Sequence, residues 1–214
     1  MLIREFDYKH HRNLVDHLMA SHGYKRLGQG TEAVVYEKDA GNVIKIIIPE
    51  TGEQGPSNVG FASFLEYCRD HKGNPHLPRF VEGKETITVE GEEFHQVVME
   101  KLQEVKDPFD IEILDILQGD DTESSSYNRF NTWERALEDI HEFIEAGGMS
   151  DATERLTQTR PWPSDAELTA RFGTFFATAK DLFKYNQFGW DLHAGNAMRR
   201  ADGTLVITDP WVSY

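Results

Sequence analysis

The chain has 214 residues, of which 39% are hydrophobic, 11% aromatic and 28% charged, a balance that fits a globular protein of one domain or one two-lobed unit and excludes a disordered or fibrous one. Its 22 basic and 37 acidic residues give a net charge of −15, which repels phosphate backbones and anionic lipid, so neither direct nucleic-acid binding nor membrane attachment is expected. No apolar run nears the roughly 18 residues of a membrane span, the N-terminus has no signal-peptide core, and the single Cys68 excludes an intramolecular disulfide. A cytoplasmic location follows as the expectation.

Residues 7–20 place Leu14, Leu18 and Met19 on one face of an amphipathic helix, with His10, His11 and His17 expected at its surface. Residues 1–23 are therefore expected as an N-terminal helical extension. From Tyr24 the period becomes that of strands: 24–30, 31–38, a Gly41-Asn42 turn, then 43–48. Residues 52–58 read as a loop and 59–71 as a helix. After Pro75 and Pro78 come strands over 79–83 and 85–102, the latter folded at a Glu90-Gly91 hairpin turn. Residues 24–102 are thus mostly β with one helix.

Beyond Leu102 the period is helical. Phe109–Leu117 carries Ile113, Leu114, Ile116 and Leu117, and Ser124–Ser126 reads as a loop. Asn131 and Glu134 resemble a capping box opening a helix that Gly147-Gly148 closes, and Ser164 with Glu167 opens another reaching about Tyr185. The second carries Leu168, Phe172, Phe175, Phe176, Ala179 and Phe183 as a core stripe. The last stretch reads as loop, strand, Asp202-Gly203 turn and strand. Between Gln103 and Arg155 fifteen acidic residues face four basic ones, which carries eleven of the fifteen net negative charges. Solvated helix faces explain this simply; the alternative is a face that attracts a basic partner or mimics nucleic acid.

Three segments suit phosphate chemistry. Gly28-Gln29-Gly30-Thr31-Glu32-Ala33-Val34-Val35 lies at a strand-turn-strand, where small residues let backbone N–H groups cover phosphates; Ala33 stands where a third glycine is usual. No helix follows, so a dinucleotide-binding turn is excluded. Lys45, inside an apolar strand, must snorkel outward or meet an anion, and its spacing from Gly30 suits α- and β-phosphates. Finally come Asp191, His193 and Asn196, with Asp209 thirteen residues after Asn196. Phosphoryl transfer needs a carboxylate to orient and deprotonate the attacking hydroxyl, which Asp191 fits. It also needs hard oxygen ligands for Mg²⁺, which Asn196 and Asp209 fit. His193 reads as a hydrogen-bonding residue of this loop.

These motifs resemble a protein-kinase-like fold with a catalytic loop in the style of aminoglycoside phosphotransferases. GYKRLGQG, NVIKI, FGWDLHAGNAM and VITDPWVS are similar, more narrowly, to the early serine/threonine protein kinases of short-tailed lytic bacteriophages. The resemblance implies an α+β, two-lobed chain: a β-rich nucleotide-binding lobe over 24–102 and a minimal helical lobe over 103–214 that stops five residues past Asp209. It implies ATP and Mg²⁺ as cofactors, Lys45 on the ATP phosphates, Asp191 as base, and Asn196 and Asp209 on the metal. Gly28, Gly30, Ala33 and Val35 would cover the nucleotide. Glu66 would be the partner of Lys45, Met99 would flank the adenine, and the backbone of Glu100 and Leu102 would bond it. Trp190 and Pro210-Trp211 depart from the residues usual beside the two aspartates.

The function expected is that of a serine/threonine kinase modifying host proteins, including basic segments of the transcription or RNA-processing machinery, in the host cytoplasm. Two rivals share the same residues: a small-molecule kinase of the aminoglycoside type, and a non-catalytic acidic binding or inhibitor protein on a kinase-like scaffold.

Overall fold

Strand parity organises the first half of the chain. The computed structural model describes residues 2–30, 33–48, 59–118, 132–185 and 189–212, which divide into two compact units. One is built on Met1–Lys72 and Pro78–Lys101, the other on Gly73–Leu77 and Leu102–Val212.

In the first unit, strands β1 (Lys25–Gln29), β2 (Ala33–Glu37), β3 (Asn42–Ile47), β4 (Phe80–Val89) and β5 (Glu92–Glu100) form one sheet in the order β1-β2-β3-β5-β4. All pairings are antiparallel. Helices α1 (Leu2–Ser21) and α2 (Val59–Asp70) complete the unit. Because successive side chains alternate across a strand, Val34, Tyr36, Ile44, Ile46 and Val98 share one face. That face is buried with Val15 and Met19 of α1. Helix α1 is thus part of this core. His11, expected at the surface, is 4% exposed and meets the Phe94 ring edge-on at 5.7 Å. It stands one helical turn before Val15 and two before Met19, so the packing claims it.

In the second unit, helices α3 (Pro108–Gln118), α4 (Trp133–Glu145), α5 (Asp151–Thr157) and α6 (Asp165–Phe183) accompany two small antiparallel sheets. One joins β6 (Gln103–Glu104), β8 (Ala197–Arg199) and β9 (Leu205–Ile207); the other pairs β7 (Gly189–Trp190) with β10 (Trp211–Val212). The capping box of Ser164 and Glu167 is present at α6, whose Leu168, Phe172, Phe175, Phe176, Ala179 and Leu182 are buried. At α4 the cap is Thr132, one residue after the expected Asn131, which lies outside the described residues, as does the Ser124–Ser126 loop. Glu112 is buried and accepts from Ser150 Oγ at 2.7 Å and Thr153 Oγ1 at 2.8 Å, which docks α5 on α3.

The mixed α+β build that the sequence led us to expect is observed. No helix among the described residues is long and apolar enough to cross a membrane.

A buried polar constraint in the second unit is Asp110. Its side chain has 0% exposure and pairs with Arg171 of α6 and Arg199 of β8. Nearby, Asp107 takes Arg160 at 3.1 Å and Arg171 at 3.4 Å. Burial pushes the Asp107 carboxyl up, but the Arg160 hydrogen bond, the Phe109 N–H and both guanidinium charges outweigh it and hold it below the ordinary carboxylate value. Neutralising Asp110 leaves Arg199 without this carboxylate while Arg171 keeps Asp107, and both guanidinium groups are partly exposed, so the cost is about 3 kcal/mol, the low end for breaking a buried pair. Asp110→Asn should therefore lower unfolding stability in urea by about that amount, whereas a loss below about 1 kcal/mol would show that the pair contributes no more than a surface one.

Candidate functional site

Three of the expected site residues converge in the second unit through main-chain bonds. β7 and β10 pair Trp190 with Trp211, and the next residue, Asp191, donates its N–H to the Pro210 carbonyl at 2.9 Å. Five residues on, Asn196 donates through Nδ2 to the Asp191 carbonyl oxygen at 2.7 Å and to Asp191 Oδ2 at 2.9 Å. Thr208 then donates to the Asn196 carbonyl from its N–H at 2.8 Å and its Oγ1 at 3.0 Å. Asp209 sits between Thr208 and Pro210, so its backbone is tied on one side to Asn196 and on the other to Asp191. All three residues are half-buried.

Between them a single helical turn, Ala194–Asn196, is capped by His193. His193 Nδ1 accepts from the Gly195 N–H at 2.9 Å, so the neutral ring carries its proton on Nε2, which lies 3.8 Å from Asp191 Oδ2. A Cβ at Gly195 would stand 2.6 Å from the His193 ring, so any other residue there would push the ring out of its capping position. Asp115 of α3 adds a contact the sequence did not announce: its carboxyl accepts from the Ala194 N–H. Loss of solvent and the Glu112 charge push that carboxyl up, against the pull of Ala194 and His193.

A second set of ties holds the strand leading to Asp209. His76 Nδ1 donates to the Leu205 carbonyl and its Nε2 accepts from Thr174 Oγ1, both at 2.8 Å, while its own carbonyl accepts from Ile207 N–H at 2.9 Å. Arg200 donates to the Pro75 and Leu77 carbonyls.

In the first unit, the register places Val35 opposite Lys45 and Lys45 opposite Val97, with Val43 opposite Met99. Ala33, Val35, Lys45 and Met99 therefore share the sheet face opposite α1. Lys45 Nζ lies 4.1 Å from the centre of the Phe61 ring of α2, a cation–π distance. Glu66 stands on the same helix with its side chain exposed. Gly28 lies within β1 opposite Val35, and Gly30 follows the strand, its N–H donating to the Ala33 carbonyl at 2.9 Å. Among the described residues, nothing lies within 4 Å of where a Cβ would stand at either glycine. Glu100 gives its N–H to the Arg79 carbonyl at 2.9 Å, so any bond from it to a base would come through its carbonyl. Leu102 opens the second unit.

Among the described residues no group of three or more His, Cys, Asp or Glu side chains is placed to cage a metal. Asn196 spends its Nδ2 donors on Asp191, which leaves Oδ1 as its outward acceptor. An amide oxygen and the Asp209 carboxylate form a hard-oxygen pair of the kind Mg²⁺ takes together with phosphates and water. The residues present fit that ion.

Compared with known protein families, the chain matches bacteriophage T7 protein kinase 0.7 over residues 4–214. The chain belongs to the bacteriophage T7 protein kinase family. No curated protein matches it. Among solved structures it is similar to APH(2")-IIia in complex with GDP and kanamycin, at 13% identity and a TM-score of 0.36 over 89% of this chain and 68% of that one. It is also similar to an aminoglycoside phosphotransferase from Alicyclobacillus acidocaldarius, at 13% identity and a TM-score of 0.35 over 86% of this chain and 61% of that one.

This T7-kinase-family chain is accordingly a phosphotransferase, as its motifs led us to expect. Its anchoring residues Asp110, Asp115 and His76 carry no local signal, because each acts on a segment distant in sequence.

His76 gives this anchoring a pH dependence. Burial holds its imidazolium pKa below the ordinary value, with Arg200 adding to the effect and the Leu205 carbonyl opposing it. The unfolded chain then binds a proton near pH 6.5 that the folded chain refuses, so stability falls as pH drops through about 6.5. The slope this site contributes is at most about 1.4 kcal/mol per pH unit. Urea unfolding at pH 7.5 and 5.5 should show a larger loss for the wild type than for His76→Asn, whose amide can still donate to Leu205; equal losses would contradict the assignment.

Proposed function

We propose that the chain is an ATP- and Mg²⁺-dependent kinase that phosphorylates serine or threonine hydroxyls of host proteins. The observation that carries this is the double donation from Asn196 Nδ2 to Asp191, which aims one carboxylate and one amide oxygen outward from a rigid loop. Asp191 would accept the hydroxyl proton as the substrate oxygen forms its bond to the γ-phosphorus. The bond from that phosphorus to the β,γ-bridging oxygen breaks, and ADP leaves. Asn196 Oδ1 and Asp209 would hold Mg²⁺, which when bound neutralises charge on the phosphates. His193, with Nε2–H towards Asp191, would help to keep the carboxylate oriented.

Lys45 would meet the α- and β-phosphates from the sheet face it shares with Ala33, Val35 and Met99, beneath Gly28 and Gly30. Glu66, Met99, Glu100 and Leu102 keep the roles given by resemblance: partner of the lysine, wall of the adenine pocket and backbone partners of the base. A protein acceptor is favoured by the acidic surface of the second unit, where Glu134, Glu138, Glu142 and Glu145 lie along α4. Basic Ser/Thr segments of transcription or RNA-processing proteins would suit that charge, and their place would be the host cytoplasm.

Incubation with γ-labelled ATP, Mg²⁺ and a bacterial lysate tests the proposal. Label should appear on protein bands and fall by about a hundredfold to ten-thousandfold in Asp191→Asn, the range a general base contributes. Label in low-mass products would instead assign a small-molecule acceptor. No Asp191-dependent transfer at all from folded protein would overturn the reading and leave an acidic binding protein.

A further inference from the structure

We infer that helix α1 fixes the backbone at Gly30, with Arg12 as the positioning residue, and so sets how tightly a nucleoside triphosphate binds. This rests on the reading of Gly28 and Gly30 as the cover over the phosphates.

Arg12 Nη2 donates to the Gly30 carbonyl at 2.9 Å, a charge-assisted bond that reaches 18 residues along the chain to the residue that follows β1. One helical turn later Asp16 takes both flanking strands. Its Oδ2 accepts from Arg26 of β1 at 2.6 Å, and its Oδ1 accepts from the Tyr36 hydroxyl of β2. Arg26 also meets the Gln29 side chain, one residue before Gly30. Helix α1 therefore grips β1 at its end, at Gly30, and both strands along their length, through residues four apart on one face.

The helix is itself fixed, since His11, Val15 and Met19 are buried. Of the hairpin, β2 is packed into the core, whereas every residue of β1 is exposed and, among the described residues, nothing lies within 4 Å of where a Cβ would stand at Gly28 or Gly30. Glycine backbone has the most freedom to lose on ordering. A turn already held before the nucleotide arrives gives up less of that freedom on binding, so the tether appears as affinity. Arg12 acts on the backbone and is assigned no contact with the reacting atoms. Its loss should raise the KM for ATP and leave kcat at saturation alone.

The test uses a fluorescent ATP analogue with Mg²⁺, steady-state kinetics and thermal melting on the wild type, Arg12→Met and Lys45→Met. Arg12→Met should weaken analogue binding and raise the KM for ATP about tenfold, equivalent to about 1.4 kcal/mol, with kcat within about twofold of wild type. Arg12→Gln, which keeps a polar head but falls short of the Gly30 carbonyl, carries the same expectation if the methionine variant does not fold. A lower melting temperature with unchanged KM would make the bond merely structural and overturn the inference. Wild-type binding by the Arg12 variant while Lys45→Met binds poorly would sink the inference and leave the nucleotide site standing. Wild-type binding by both would remove the nucleotide site, and the inference with it.

Discussion

A carboxylate with no exposed surface joins three elements of the second unit. Asp110 lies on α3 and is met by Arg171 from α6 and Arg199 from β8. A buried charge persists only when it is paired, so the two guanidinium groups must come to it, and each brings its element along. Arg199 is three residues after Asn196. Holding the end of β8 against α3 therefore holds the loop that begins at Asp191. His76 performs the matching task on the other strand of that hairpin, bonding the Leu205 carbonyl and the Ile207 N–H just ahead of Asp209. Rigidity at the loop is thus supplied from outside it, which is how a short, half-exposed turn can keep a carboxylate aimed.

The first unit solves its corresponding problem by strand parity. Lys45 sits in a strand with apolar residues on both sides, and its register with Val35 and Val97 turns it away from the core shared with α1. On that other face it rests over the Phe61 ring, an aromatic platform that supports an ammonium group at modest desolvation cost. Both units therefore keep charged groups at the boundary of an apolar core, where they are oriented but still reachable.

Much of this arrangement is legible in the sequence wherever the determining interaction is local. Ser164 and Glu167 announce α6 because a capping box spans only three residues. The Asp191–Asn196 loop can be read because its hydrogen bonds close over five residues. The α5 helix is hidden between Gly148 and Pro161 because it has only seven residues and owes its place to Glu112, far away in sequence. His11 escapes a polarity-based reading although it shares a helical stripe with Val15 and Met19; a search by spacing alone would have placed it inside. Asp110, His76 and Arg12 act across 89, 129 and 18 residues respectively, and no window of sequence connects such partners.

The account stands on one claim, that Asp191, Asn196 and Asp209 form the place where a phosphoryl group is transferred. A crystal structure of the chain with a non-hydrolysable ATP analogue and Mg²⁺ tests it most directly. The account predicts metal density bonded to Asn196 Oδ1 and the Asp209 carboxylate, with the terminal phosphate facing Asp191. A triphosphate and metal bound away from these three residues would contradict it.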